Sequence, residues 1–257
     1  MPRSGFAILC LIFLVGAGAV ARAQMNDRLQ SEHYGSIPIG EYQAGDNLHF
    51  SLVRDENATY SNVYLLHIAG QPEVYVLYAD FGTLGGQVLK YDSGAIAIQI
   101  TGWGGMTIYT DDQPQGIAAS RSGEATAPSP APVSLSQMQS AAEDESSHLA
   151  YSRGLHLSFA ADWNVLASDA PQRALAFDAM ENAARGIDRF SANPAARNVF
   201  LQRVSAVHMT ASDKPVIRLD GHTLIVTFNP RQGYQGRASS RAISFALGKL
   251  FSVPIPN

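Results

Sequence analysis

Residues 229–240 read Asn-Pro-Arg-Gln-Gly-Tyr-Gln-Gly-Arg-Ala-Ser-Ser, a stretch whose residue types suit the binding of an anion or a sugar. Arg231 and Arg237 carry forked donors that match carboxylate or phosphate. Gly233 and Gly236 permit close backbone approach, and Tyr234 offers a ring on which a planar group could stack. Ser239 and Ser240 stand where a helix is expected to begin, so free N–H groups and the positive end of the helix dipole face the loop. The plainer reading of the same residues is a glycine turn, a serine cap and two solvated arginines. The lysine and following Ser or Thr of a phosphate loop are missing.

A second candidate is Trp103, set between Gly102 and Gly104, where an exposed indole could serve as a platform for a sugar ring or a partner. Trp163 is a weaker one, and a tryptophan packed over a sheet edge is the alternative at both positions. Other chemistries lack their signatures. The seven histidines show no helical pair at zinc-motif spacing and no His-Glu-x-x-His, so neither a metal nor a cofactor is expected. There is no Gly-x-Ser-x-Gly elbow and no Ser-x-x-Lys. A catalytic triad or a glycosidase carboxylate pair is defined by geometry, so a hydrolase assembled from scattered polar residues stays open as the alternative function.

The elements that must position these residues fall into two patterns. Between residues 34 and 110 apolar and polar residues alternate: Leu48, Phe50 and Leu52, then Tyr64, Leu66 and Ile68, then Ile96, Ile98 and Ile100. The run Val74-Tyr75-Val76-Leu77-Tyr78 is apolar on both faces and reads as a central strand. Gly-rich and Asp-Ser-Gly turns separate the runs, as in an antiparallel β-sandwich or small barrel. Residues 113–134 are mainly Ala, Ser, Pro and Gly and read as a linker. A polar, weakly amphipathic helix is expected over 135–151. Helices follow from Asp169 and from Asn193-Pro194, with Glu181 and Arg185 one turn apart on a wet face. A strand near 204–209 comes next, then a hairpin around Asp220-Gly221, pairing Leu219 with His222, and a final helix over 239–251. The fold class is therefore α+β: an acidic all-β module over 24–112, the linker, and a basic α+β module over 135–257 with a β-hairpin and a terminal helix. A terminus ending Pro-Asn, the helices and the break after Thr110 oppose an outer-membrane barrel.

Residues 1–23 have the form of a signal peptide: Arg3, an apolar run over 6–20, and Ala-Arg-Ala before Gln24. The run is shorter than the roughly 20 residues of a spanning helix. Cleavage would remove Cys10, the sole cysteine, and leave a periplasmic or secreted chain without disulfides and without a transmembrane span. Charge is segregated along the rest of the chain. Residues 24–112 carry eleven acids against Arg28, Arg54 and Lys90, while residues 151–257 carry twelve bases against seven acids. The halves can dock on each other, or the arginine-rich half can meet an anionic envelope component or a protein partner. Location and overall charge argue against nucleic acid.

Five motifs carry a resemblance: Tyr34-Gly35-Ser36-Ile37-Pro38, the 74–78 strand, Lys90-Tyr91-Asp92-Ser93-Gly94, Gly102-Trp103-Gly104-Gly105-Met106 and Gly233-Tyr234-Gln235-Gly236-Arg237. The chain resembles a family of uncharacterised exported alphaproteobacterial proteins that share a domain of unknown function. The resemblance implies no activity and no catalytic residue. The expectation is a non-catalytic binding or envelope-associated protein using Arg231, Tyr234, Arg237, Ser239, Ser240 and Trp103. A third class is a structural subunit whose opposite charges associate within or between chains.

Overall fold

Apolar patterning produces most of eight strands, and their pairing closes on itself. In the computed structural model, which describes residues 37–58 and 60–254, these are β1 (Gly40–Ala44), β2 (Leu48–Arg54), β3 (Val63–Ile68), β4 (Val74–Phe81), β5 (Gln87–Tyr91), β6 (Ile96–Ile100), β7 (Met106–Ile108) and β8 (Ile117–Gly123). Each pairs antiparallel with the next, and β8 returns to β1, so the alternative of a small barrel holds over a sandwich. The signal segment expected over 1–23, Cys10 and the motif residues 34–36 lie outside the described residues. The described residues from Ile39 onward form one compact unit that contains both the barrel and the helical half.

The register places Leu52 beside Leu66, Leu66 beside Tyr75, and Leu89 beside Ile98 beside Ile108, all buried on the inner face. The outer face of β2, β3 and β4 is buried too. Val53, Val63, Leu65, Val74 and Val76 form a second cluster there under Tyr234, which is why β4 reads as apolar on both sides. Ile96 departs from the expected alternation. A bulge opposite Leu89 and Lys90 adds Ala97 to β6, so Ile96 leaves the face of Ile98 and Ile100 and is exposed.

Residues 117–123, expected as linker, are instead β8. This strand has no buried residue, and backbone bonds to β1 and β7 hold it in place, so no hydrophobic pattern marks it. Arg121 adds a bond from Nε to the Ile39 carbonyl at 2.8 Å. The stretch from 124 to Ser134 carries no helix or strand.

The second half contains α1 (Leu135–Arg153), β9 (Ser158–Ala161), α2 (Trp163–Ser168), α3 (Ala170–Ser191), α4 (Pro194–Arg203), β10 (Ala206–Ala211), β11 (Ile217–Asp220), β12 (Thr223–Phe228) and α5 (Ser240–Phe251). Polar caps set the helix starts. Ser134 and Gln137 make a capping box on α1, and Asp169, Asn193 and Ser239 accept from the first turns of α3, α4 and α5. The sheet runs β11-β12-β10-β9, with β10 parallel to both neighbours. The hairpin register differs from expectation: Leu219 faces Leu224 and Asp220 faces Thr223, leaving Gly221-His222 as the turn. The shift is by two residues, so Leu224, Val226 and Phe228 stay on the core face. Trp163 packs half-buried against that core.

Helices α3 and α5 cross at Gly186. A Cβ there would lie 2.7 Å from Ile243 side-chain atoms and 2.9 Å from the Ser240 carbonyl oxygen. Gly186→Ala should therefore destabilise, by about 1–3 kcal/mol from overpacking, where helix propensity alone predicts a gain of roughly 1 kcal/mol. Urea unfolding midpoints of the two proteins decide the sign.

Candidate binding cleft between the barrel and α3

In an up-and-down barrel the β3–β4, β5–β6 and β7–β8 connections share one end. They carry Glu73, Asp92 and Asp111, and this end meets the arginine-rich half. The Ser239 N–H donates to Asp92 Oδ2 at 2.8 Å and its hydroxyl to Asp92 Oδ1 at 2.5 Å. The Ser240 N–H donates to Glu73 Oε1 at 2.7 Å and its hydroxyl to Glu73 Oε2 at 2.6 Å. The start of α5 thus holds two anions, and both are the protein's own carboxylates. Burial raises the Asp92 pKa above its ordinary value of 3.8, and the Ser239 bonds pull against that rise.

The rest of the 229–240 segment joins the same contact. Tyr234 is buried on the outer wall of the barrel, its hydroxyl pushed up to about 12 by burial and then by Asp178. Gln235 reaches Asp55 at 3.2 Å. Arg237 is buried beneath Tyr234, ion-paired with Asp178 of α3, and donates from Nη2 to the Val74 carbonyl at 2.7 Å. Arg231 stays on the surface, bridged to an equally exposed Asp213 at 3.1 Å. Trp103 is 83% exposed on the β6–β7 connection, at the other end of the barrel. Four of the six expected residues, Tyr234, Arg237, Ser239 and Ser240, therefore join the seam, while Arg231 stays on the surface and Trp103 lies at the other end of the barrel.

Next to this seam is a cleft of about 780 Å³ between the barrel end, α1, α3 and the start of α5. Four arginines line it. Arg153 grips Asp188 through Nε at 2.6 Å and Nη2 at 3.1 Å. Arg185 donates to Glu181 at 3.0 Å and to Asn182 at 2.8 Å, and its Nε lies 3.7 Å from Glu73 without a hydrogen-bond acceptor. Arg189 and Arg241 share Asp111, Arg241 Nη2 meeting Oδ1 at 2.5 Å and Arg189 meeting Oδ2. The Arg241 guanidinium also stacks 4.3 Å above the Tyr91 ring, whose hydroxyl burial pushes up to about 12.

Arg185 is legible in the sequence only as a partner of Glu181; its place in the cleft, with Arg189 four residues on, is not. The one signal is that pair at helical spacing. Chemically the arrangement can bind and orient an anion. The Ser240 hydroxyl proton is committed to Glu73 Oε2. Among the described residues no group of three or more His, Cys, Asp or Glu side chains is placed to hold a metal ion. No helix among them is long and apolar enough to cross a membrane.

Asp92 yields a signed pH effect. An acid whose folded pKa is raised binds more protons in the folded state, so its contribution to stability falls as pH rises from 3.8 through the raised value. Asp92→Asn keeps an acceptor for the Ser239 N–H and lacks that slope, so its stability should improve relative to the wild type as pH rises from 4 towards 7. Asp92→Ala leaves two buried donors unpaired and should cost about 2–4 kcal/mol near pH 4, a cost that shrinks with the same slope as pH rises. Denaturant titrations of the three proteins across that range test both signs.

Comparison with known proteins finds one family. The family model of a domain of unknown function, DUF4908, matches residues 22–247. No curated protein and no solved structure matches. With the barrel, the seam and the cleft all inside the matched span, the chain belongs to the DUF4908 family.

Proposed function

We propose that this is an exported, non-catalytic binding protein that takes a small anionic ligand into the cleft between the barrel end and α3. The observation that carries the reading is four guanidinium groups around about 780 Å³ of space, with the Arg185 and Arg241 Nε atoms lacking acceptors. That volume lies within the usual range of small-molecule sites. Partial burial of Arg185, Arg189 and Arg241 beside the backing tyrosines strengthens each charge-assisted bond relative to one made in open water. The ligand is an anionic envelope component or a fragment of one, met in the periplasm or outside the cell, as residues 1–23 suggest. Tyr75 and Tyr91 supply apolar ring surface beside the charges and keep their hydroxyl protons, since burial raises both pKa values.

Gln71 lines the cleft with an exposed side chain that takes no part in the arginine–carboxylate pairs around it. Gln71→Trp should fill the cleft without harming the fold. Equilibrium dialysis against fractionated anionic envelope fragments should show retention that falls with salt. The Trp variant should lose at least about tenfold in affinity, while Arg231→Ala keeps it. Equal retention by wild type and Gln71→Trp, or retention lost only in Arg231→Ala, would move the site out of the cleft.

A further inference from the structure

The cleft has a neighbour. A smaller compartment of about 250 Å³ shares with it a wall formed by Asp111, Arg189 and Arg241. Both oxygens of Asp111 are held by guanidinium groups, yet its side chain is 49% exposed. It stands on the β7–β8 connection, where the Thr110 and Gln113 backbones bond each other at 3.2 and 3.4 Å. Beyond the wall, Phe190, Phe245 and Ala95 give the compartment apolar sides. Ser244 also lines it; this residue is 1% exposed, and its hydroxyl has no hydrogen-bond partner. Buried hydroxyls without partners are rare in folded proteins, and Arg241, which lines the same compartment, carries a second unpaired donor, Nε.

We propose that Arg189 and Arg241 are the carboxylate subsite of the cleft, and that Asp111 occupies it as an internal competitor. A small organic acid displaces Asp111, sets its own carboxylate on the two guanidinium groups and places its body in the smaller compartment against Ser244. This rests on the binding reading above and names its ligand class. The displaced side chain moves from a half-exposed position into water, so it loses little. Two forked donors converging on one carboxylate favour a planar head, and Phe190 and Phe245 favour a short apolar or aromatic body. An internal competitor lowers apparent affinity by the fraction of time it fills the subsite.

The test is calorimetric titration of the purified protein with 4-hydroxybenzoate, acetate and inorganic phosphate. Asp111→Asn should bind 4-hydroxybenzoate at least roughly tenfold more tightly than wild type, because the competitor is removed. In that variant acetate should bind more weakly than 4-hydroxybenzoate, and adding Ser244→Ala should weaken 4-hydroxybenzoate binding without lowering the melting temperature. If Asp111→Asn does not fold, the Arg189 and Arg241 Nε–H resonances of the wild-type protein decide, since both must shift on adding 4-hydroxybenzoate. Unchanged affinity in Asp111→Asn, equal binding of acetate and 4-hydroxybenzoate, or unmoved resonances overturns the subsite. Uptake of envelope fragments that Gln71→Trp blocks and Asp111→Asn leaves unchanged removes this subsite and keeps the cleft. Loss of both effects removes both.

Discussion

Two carboxylates of the barrel, Glu73 and Asp92, sit on the first N–H groups and hydroxyls of α5, and the placement of the whole second half depends on that contact. A helix N-terminus offers unpaired donors and positive potential to any anion that reaches it. Here the carboxylates are delivered by two loops at one end of a closed barrel, which ties the start of α5 to that end. Glu73 is 2% exposed, and removing its partners would strand a buried charge, which is among the more costly events in a folded protein. The contact therefore serves specificity as much as stability.

The charge segregation of the sequence follows from the same geometry. The acidic half meets the basic half through Glu73 and Arg185, through Asp111 with Arg189 and Arg241, and through the two serine clamps. Docking leaves the pairing uneven. Asp111 serves two guanidinium groups at once, and donors on Arg185 and Arg241 stay without acceptors. The cleft is lined by those same groups, so docking and candidate binding use one set of arginines.

Much of the fold was legible because local rules carry it. The alternation at residues 48–52 and 64–68 and the apolar run at 74–78 gave true strands, and the caps at Asp169, Asn193 and Ser239 gave true helix starts. The misses share a cause. β8 has no buried side chain and is held by ladder bonds to strands far away in sequence. Ile96 is turned outward by a bulge that only the pairing with β5 reveals. β9 is four residues long and takes its place from the parallel ladder with β10. The site was legible in part: residues 229–240 do meet anions at a helix start, but the anions belong to loops 147 and 167 residues earlier in the chain.

The sequence by itself determined the period of most strands and helices, the caps that begin the longer helices, and the sign of charge on each half. These depend on residues within a few positions of one another, and their physics is local. Tertiary structure decided which carboxylate meets which arginine, that Tyr234 and Arg237 are buried against the barrel and α3, and that Asp111 stands between two compartments. Those outcomes turn on barrel closure, which gathers three loops from separate parts of the chain at one end and fixes their distances to α3 and α5.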